Sequence, residues 1–167
     1  QTCALPIYRV FVFALSMGGA TSIQVAHRFG AKISGLVFVN PMITIKGPAQ
    51  YFLPLISKIV PKMKAVGGDI KRPGSSEWSY NALPLKGVVQ LRKLLKDSRA
   101  KLPEIKVPFM IFHSVDDHVL PVYNTEIYMS EIGSAQKQRI ELVNSYHVAT
   151  VDYDAEIIFE NSLLALK

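Results

Sequence analysis

The hydrophobic pattern becomes readable at Tyr8. Residues 8–15, YRVFVFAL, form a β-branched and aromatic run that switches at SMGG into the helical spacing of TSIQVAHRFG, ending at Gly30. This predicts a strand, a sharp turn and a helix. In ISGLVFVNP, residues 33–41, a continuous apolar core is stopped by Asn40 and Pro41, the pattern of a strand buried on both faces. It reads as a second parallel strand beside the first.

From Met42 to about Leu85 the periodicity weakens. Pro48, Pro54, Pro61, Pro73 and Pro84 interrupt it, and Gly67, Gly68 and Gly74 loosen it further, so short helices and loops are expected to form an insertion. Residues 85–100 then read as an amphipathic helix and VPFMIFHSV, residues 107–115, as another buried strand. NTEIYMSEI resembles a helix, QRIELV a short strand and DAEIIFENSLLAL a closing helix. Alternating strands and helices imply an α/β fold with a mostly parallel, doubly wound sheet, whose ligands bind beyond the carboxyl ends of the strands.

Composition narrows the class. A chain of 167 residues with 49% hydrophobic content can bury the core of one globular domain. No apolar run reaches the roughly 18 to 20 residues of a membrane span, and no basic segment followed by a signal-peptide core opens the chain. The expectation is a cytoplasmic protein without stable membrane insertion. The net charge of +6 would suit nucleic acid, but the Lys and Arg residues are dispersed, with only a loose concentration from Lys86 to Lys106. That stretch alternates apolar and basic positions at helical spacing, as on a helix that packs one face and solvates the other. Nucleic acid is therefore not an expected partner. Cys3 is the one cysteine, which excludes an intrachain disulfide framework and a multi-cysteine zinc site. The opening QTCALPI resembles the translation of a sequencing-library adaptor, and residues 1–7 are expected to be a non-native leader.

The chemistry gathers at the predicted strand ends. Ala14-Leu15-Ser16-Met17-Gly18 matches small-x-Ser-x-Gly, a strand-to-helix turn that lifts a serine hydroxyl clear of a sheet. The same turn sets the Met17 backbone N–H at the start of the helix, where it can donate to a developing oxyanion. An unassisted serine is a poor nucleophile, so the pattern requires a histidine base and a carboxylate, in the order Ser, acid, His. Of four histidines, His27 lies near the solvated end of the first helix, His113 in or at the end of a strand, and His118 directly after the acidic pair. His147, in NSYHVAT after the last strand, is well placed for a loop returning over the sheet. Asp116 and Asp117 both follow VPFMIFHSV, and the spacing of Asp117 to Pro121 favours Asp117, leaving Asp116 as a turn residue. Each residue alone has a bland reading as a turn or surface group. Their joint occurrence, in order and at three separate strand ends, points to a catalytic triad.

From Tyr8 onward the sequence resembles the small carboxylesterase and monoacylglycerol lipase branch of the α/β-hydrolases. FALSMGGA and GLVFVNP are similar to that family's nucleophile segment and following strand, FHSVDDHVLP to its acid loop and NSYHVATVDYD to its histidine loop. SYNALPLKGVVQLRKLLKDSRAKLPEIKVP resembles the stretch from cap to acid-bearing strand. The resemblance implies the C-terminal part of such a hydrolase over residues 8–167, with Ser16 as nucleophile, Asp117 as acid, His147 as general base and a small cap over about 44–84. It also implies a second oxyanion donor from an upstream loop outside this chain, and a first strand with an uncovered edge. Ala14 replaces the usual glycine of the turn. The implied reaction is hydrolysis of a small-molecule carboxylic ester through an acyl-enzyme, without metal or organic cofactor. Tyr51, Phe52, Leu53, Leu55, Ile56 and Trp78 in the cap serve either an apolar acyl group or packing. Two alternatives stand beside this: a non-catalytic fragment or interaction module, and acyl transfer, thioester or amide hydrolysis on the same triad.

Overall fold

Continuous apolar strands require cover on both faces, and the fold supplies it for residues 33–39 and 109–114. A computed structural model describes residues 9–165 other than 46, 48 and 66. The expected leader with Cys3, and the side chain of Tyr51, lie outside the described residues. The order is β1 (Val10–Leu15), α1 (Gly18–Phe29), β2 (Ile33–Val39), α2 (Ala49–Ile59), β3 (Lys62–Lys64), β4 (Ala82–Pro84), α3 (Leu85–Lys101), β5 (Phe109–Ser114), α4 (Tyr123–Glu131), β6 (Lys137–Leu142) and α5 (Ala155–Ala165).

Four strands form one sheet in the order β1-β2-β5-β6, every pair parallel. The register aligns their carboxyl ends, with Leu15 opposite Val39, Val39 opposite Phe112, and Ser114 opposite Leu142. Side chains alternate between the faces of β2. Leu36 and Phe38 join Ala20, Ile23 and Ala26 of α1, Leu95 of α3 and Tyr128 of α4 in one core. Val37 and Val39 join Met110, Phe112, Leu142 and Ile158 of α5 on the other face. Phe38 is fully buried and meets Phe109 and Tyr128 edge-on at 5.2 and 5.5 Å. Burial of such a ring contributes about 2–3 kcal/mol.

In α3 the expected division holds: Leu85, Val88, Leu95 and Ser98 are buried while Lys86, Lys93 and Lys96 are exposed. β1 is an edge strand of the described sheet, with Phe13 46% and Val10 38% exposed. The sequence also predicts no strand between β2 and α3, where β3 and β4 pair antiparallel. Both are three residues long and exposed throughout, so they carry no alternation to read.

Candidate active site

β1 stops where its next residue cannot continue as a strand. Ser16 has φ +55°, in the left-handed region that costs a non-glycine residue about 1–3 kcal/mol. Three backbone hydrogen bonds hold it there: Ser16 N–H donates to Val39 O at 3.0 Å, and Gly19 and Met42 N–H donate to Ser16 O at 3.1 and 2.9 Å. The turn needs small neighbours. A Cβ at Gly18 would meet that of Ala14 at 3.4 Å, an ordinary contact. At Gly19 it would lie 2.7 Å from Pro41 Cβ and 3.0 Å from the Tyr128 hydroxyl. Gly19 is therefore the position where glycine is demanded, although the serine pattern itself singles out Gly18. The buried Tyr128 hydroxyl donates to Met42 O at 3.1 Å, and burial raises its pKa strongly.

The structure brings Ser16, Asp117 and His147 together beyond the ends of β1, β5 and β6. His147 Nε2 lies 2.9 Å from Ser16 Oγ and His147 Nδ1 lies 2.8 Å from Asp117 Oδ2. The Asp117 side chain is 1% exposed and the His147 side chain 9%. Asp117 Oδ1 accepts the N–H groups of Val119 and Leu120, both at 2.8 Å, so one oxygen fixes the carboxylate and the other faces the imidazole. An ionised carboxylate only accepts, so we assign the proton to Nδ1. This leaves the Nε2 lone pair toward the serine hydroxyl. Met17 N–H stands at the amino end of α1, among the first helical amides, which have no intrahelical acceptor.

The other titratable residues named from the sequence are occupied elsewhere. His27 contacts Glu104 at 3.1 Å. His113 is buried in β5, 3.2 Å from Thr125 Oγ1, and burial lowers its pKa. His118 binds Asp69, and that hydrogen bond holds its pKa above the usual imidazole value. Asp116 is exposed, 3.8 Å from Lys71.

Three residues that sequence reasoning did not single out for a role shape the site from behind. Asn40, at φ +42°, donates from Nδ2 to His147 O at 2.8 Å and to Ser114 Oγ at 2.9 Å, and accepts Ser114 N–H at 2.7 Å. Asp69 accepts His147 N–H at 3.1 Å. Asp152, 1% exposed, accepts N–H from Lys71, Arg72, Tyr146 and Tyr153 at 2.7 to 3.0 Å. Burial alone would push the Asp152 carboxyl up, but these four donors outweigh it and hold it below the usual range.

Cavities of about 560, 360 and 320 Å³ lie away from the triad: beside α3, under the end of α1, and at the amino end of the sheet. Between β2 and α3, Phe52, Leu55, Ile56 and Ile59 form an exposed stripe at helical spacing on α2, and Trp78 is 81% exposed. Among the described residues no cluster of three His, Cys, Asp or Glu could hold a metal, and no helix is long and apolar enough to cross a membrane.

These features have relatives. Residues 4–154 match the family described as serine aminopeptidase, S33. A thermostable monoacylglycerol lipase from Bacillus sp. (strain H-257) is 36% identical over 154 residues, which are 92% of this chain and 61% of that protein. A structure solved for the metagenome-derived lipolytic enzymes LipS and LipT superposes with a TM-score of 0.86 at 34% identity, over 92% of this chain and 63% of that one. The monoacylglycerol lipase of Paleococcus ferrophilus shares the fold, with a TM-score of 0.73 at 17% identity over 93% of this chain and 66% of its own. The chain thus spans about three fifths of the length of the Bacillus lipase and of the LipS/LipT structure. It is an α/β-hydrolase and belongs to the serine aminopeptidase S33 family.

Proposed function

We propose that this chain carries the triad of a serine hydrolase acting on carboxylic esters, with monoacylglycerols or short- to medium-chain acyl esters as substrates. The observation that carries the reading is the unbroken hydrogen-bonded line from Asp117 through His147 to Ser16. His147 Nε2 takes the Ser16 proton as Oγ attacks the ester carbonyl. The imidazolium then returns that proton to the leaving alkoxide, and the C–O bond breaks to give an acyl-enzyme. Water, deprotonated by the same imidazole, releases the acid and restores Ser16. Asp117 holds the tautomer and steadies the charged ring, and Met17 N–H is one donor to the oxyanion.

Residues 44–84 act in this reading as a cap, and the α2 stripe gives an apolar acyl chain a surface of matching chemistry. The 36% identical relative, a monoacylglycerol lipase, favours ester over amide substrates. The family's description as a peptidase keeps amide hydrolysis as the second reading. A cytoplasmic location goes with this reading and is tested by cell fractionation.

The decisive experiment is release of p-nitrophenol from p-nitrophenyl butyrate, with an amide of the same acyl group in parallel. Ester turnover that disappears in Ser16→Ala supports the proposal. Turnover that survives the substitution, or none in the unsubstituted protein, leaves a non-catalytic or interaction role. Faster cleavage of the amide favours the second reading.

A further inference from the structure

Asp69 belongs to the inserted segment, yet its bonds run to the two loops that carry the acid and the base. Gly68, at φ +72°, and the hydrogen bond from Ile70 N–H to Gly68 O at 2.9 Å turn the chain tightly around it. Its Oδ2 accepts His147 N–H at 3.1 Å and His118 N–H at 3.2 Å. Its Oδ1 meets His118 Nδ1 at 2.8 Å, and its own carbonyl accepts Val148 N–H at 3.1 Å. The side chain is 16% exposed. His118 follows Asp117 directly, so one carboxylate ties the acid loop to the histidine loop. On the far side of His147, Asn40 holds the carbonyl at 2.8 Å. The backbone of the proposed base is thus gripped at both its N–H and its C=O by side chains from elsewhere in the fold.

We propose that Asp69 is a positioning residue for His147, contributed by the inserted segment, so that seating of this segment and alignment of the imidazole are one event. The proposal rests on the hydrolase reading above. Both bonds to Oδ2 are backbone bonds, and backbone position sets where the ring stands between Asp117 and Ser16. Small losses of alignment at such a centre cost about 10² in rate, and residues that orient metal-bound histidines in the same way typically matter by about 10–100-fold.

The test uses p-nitrophenyl acetate, whose two-carbon acyl group minimises contact with the exposed apolar residues of the inserted segment. Rates are normalised to the Ser16 that a fluorophosphonate titrates, which removes any effect of a smaller folded fraction. Asp69→Ala is expected to lower kcat per titrated site about 10–100-fold with KM within about twofold, and to broaden the downfield proton resonance of His147 Nδ1–H. Asp69→Asn, whose carbonyl oxygen still accepts His147 N–H, is expected to recover most of that loss. His118→Gln, which spares the Asp69–His147 bond, is expected to lose less than about threefold.

If Asp69→Ala does not fold, Asp69→Ser takes its place, with an expected loss of at least about fivefold. Parity of the alanine or serine variant with the parent, with the proton resonance unchanged, overturns the role of Asp69 and leaves the hydrolase reading intact. Absence of any Ser16-dependent reaction in the parent overturns both.

Discussion

The ends of the sheet and the segment between β2 and α3 are built on opposite principles. Around Ser16, Asp117 and His147, buried polar side chains are spent on backbone groups: Asn40 on His147 and Ser114, Asp117 on Val119 and Leu120. In residues 44–84, Phe52, Leu55, Ile56 and Ile59 of α2 are exposed, and Trp78 and Tyr80 stand 81% and 74% exposed. The two regions meet through a few carboxylates, chiefly Asp69 and Asp152, that reach for backbone N–H groups across the boundary. The difference teaches a division of labour. The geometry of the candidate triad is set by buried hydrogen bonds to the main chain, while residues 44–84 leave large apolar side chains exposed.

Substitutions can break that contrast, and the largest effect is expected within the triad itself. Asp117→Asn preserves the shape of the site but favours the wrong imidazole tautomer, so ester turnover should fall about 10⁴-fold with little change in thermal midpoint. Equal turnover would detach Asp117 from the chemistry.

Next in size is the staple between the regions. Asp152→Ala leaves four part-buried N–H groups without their acceptor and should destabilise by about 3 kcal/mol, read from urea unfolding at pH 7. Its pH dependence has a definite sign. Because the folded carboxyl is held below its unfolded value, the unfolded chain binds more protons in acid. The stabilisation is complete above the unfolded pKa, roughly 4, and is lost as pH falls toward the lower folded value. The gap between parent and Asp152→Ala should therefore narrow from pH 7 to pH 3, and a constant gap would contradict the assignment.

Smaller again is Gly19→Ala. Its Cβ, 2.7 Å from Pro41, forces a local shift worth about 1–3 kcal/mol, whereas Gly18→Ala should cost less, so their order of melting temperatures is the measurement. Smallest is Phe52→Ser on the exposed α2 stripe, expected to change stability by less than about 0.5 kcal/mol. A larger loss would show that this face is packed in solution.

Much of the sheet was legible because its strands are uninterrupted apolar runs bounded by turn residues. β1, β2 and β5 lie within their expected limits, and β6 runs from Lys137 to Leu142 where 138–143 is expected. The candidate triad was legible for a different reason, since strand order and strand ends constrain where a serine, an acid and a histidine can meet. The supporting residues were not. Asn40 reads in the sequence as a strand stop, and nothing local announces that its amide reaches His147, 107 residues away. Asp69 and Asp152 bind backbone N–H groups, which every sequence position but proline offers, so their partners leave no compositional mark. Gly19 did leave a signal, the doubled glycine after Met17. Only the three-dimensional approach of Pro41 and Tyr128 tells which of the two is constrained.

The bond between His147 and Ser16 spans 131 residues of chain. Joining partners so far apart carries a loop-closure cost, and a wholly parallel sheet adds its own long crossovers before those partners can approach. Helices such as α3 can form early from local contacts, but Ser16 meets His147 only after the strands between them have assembled. On the reading proposed above, reactivity of Ser16 is therefore a readout of completed folding: a chain arrested before β6 and the loop that carries His147 are in place would be chemically silent.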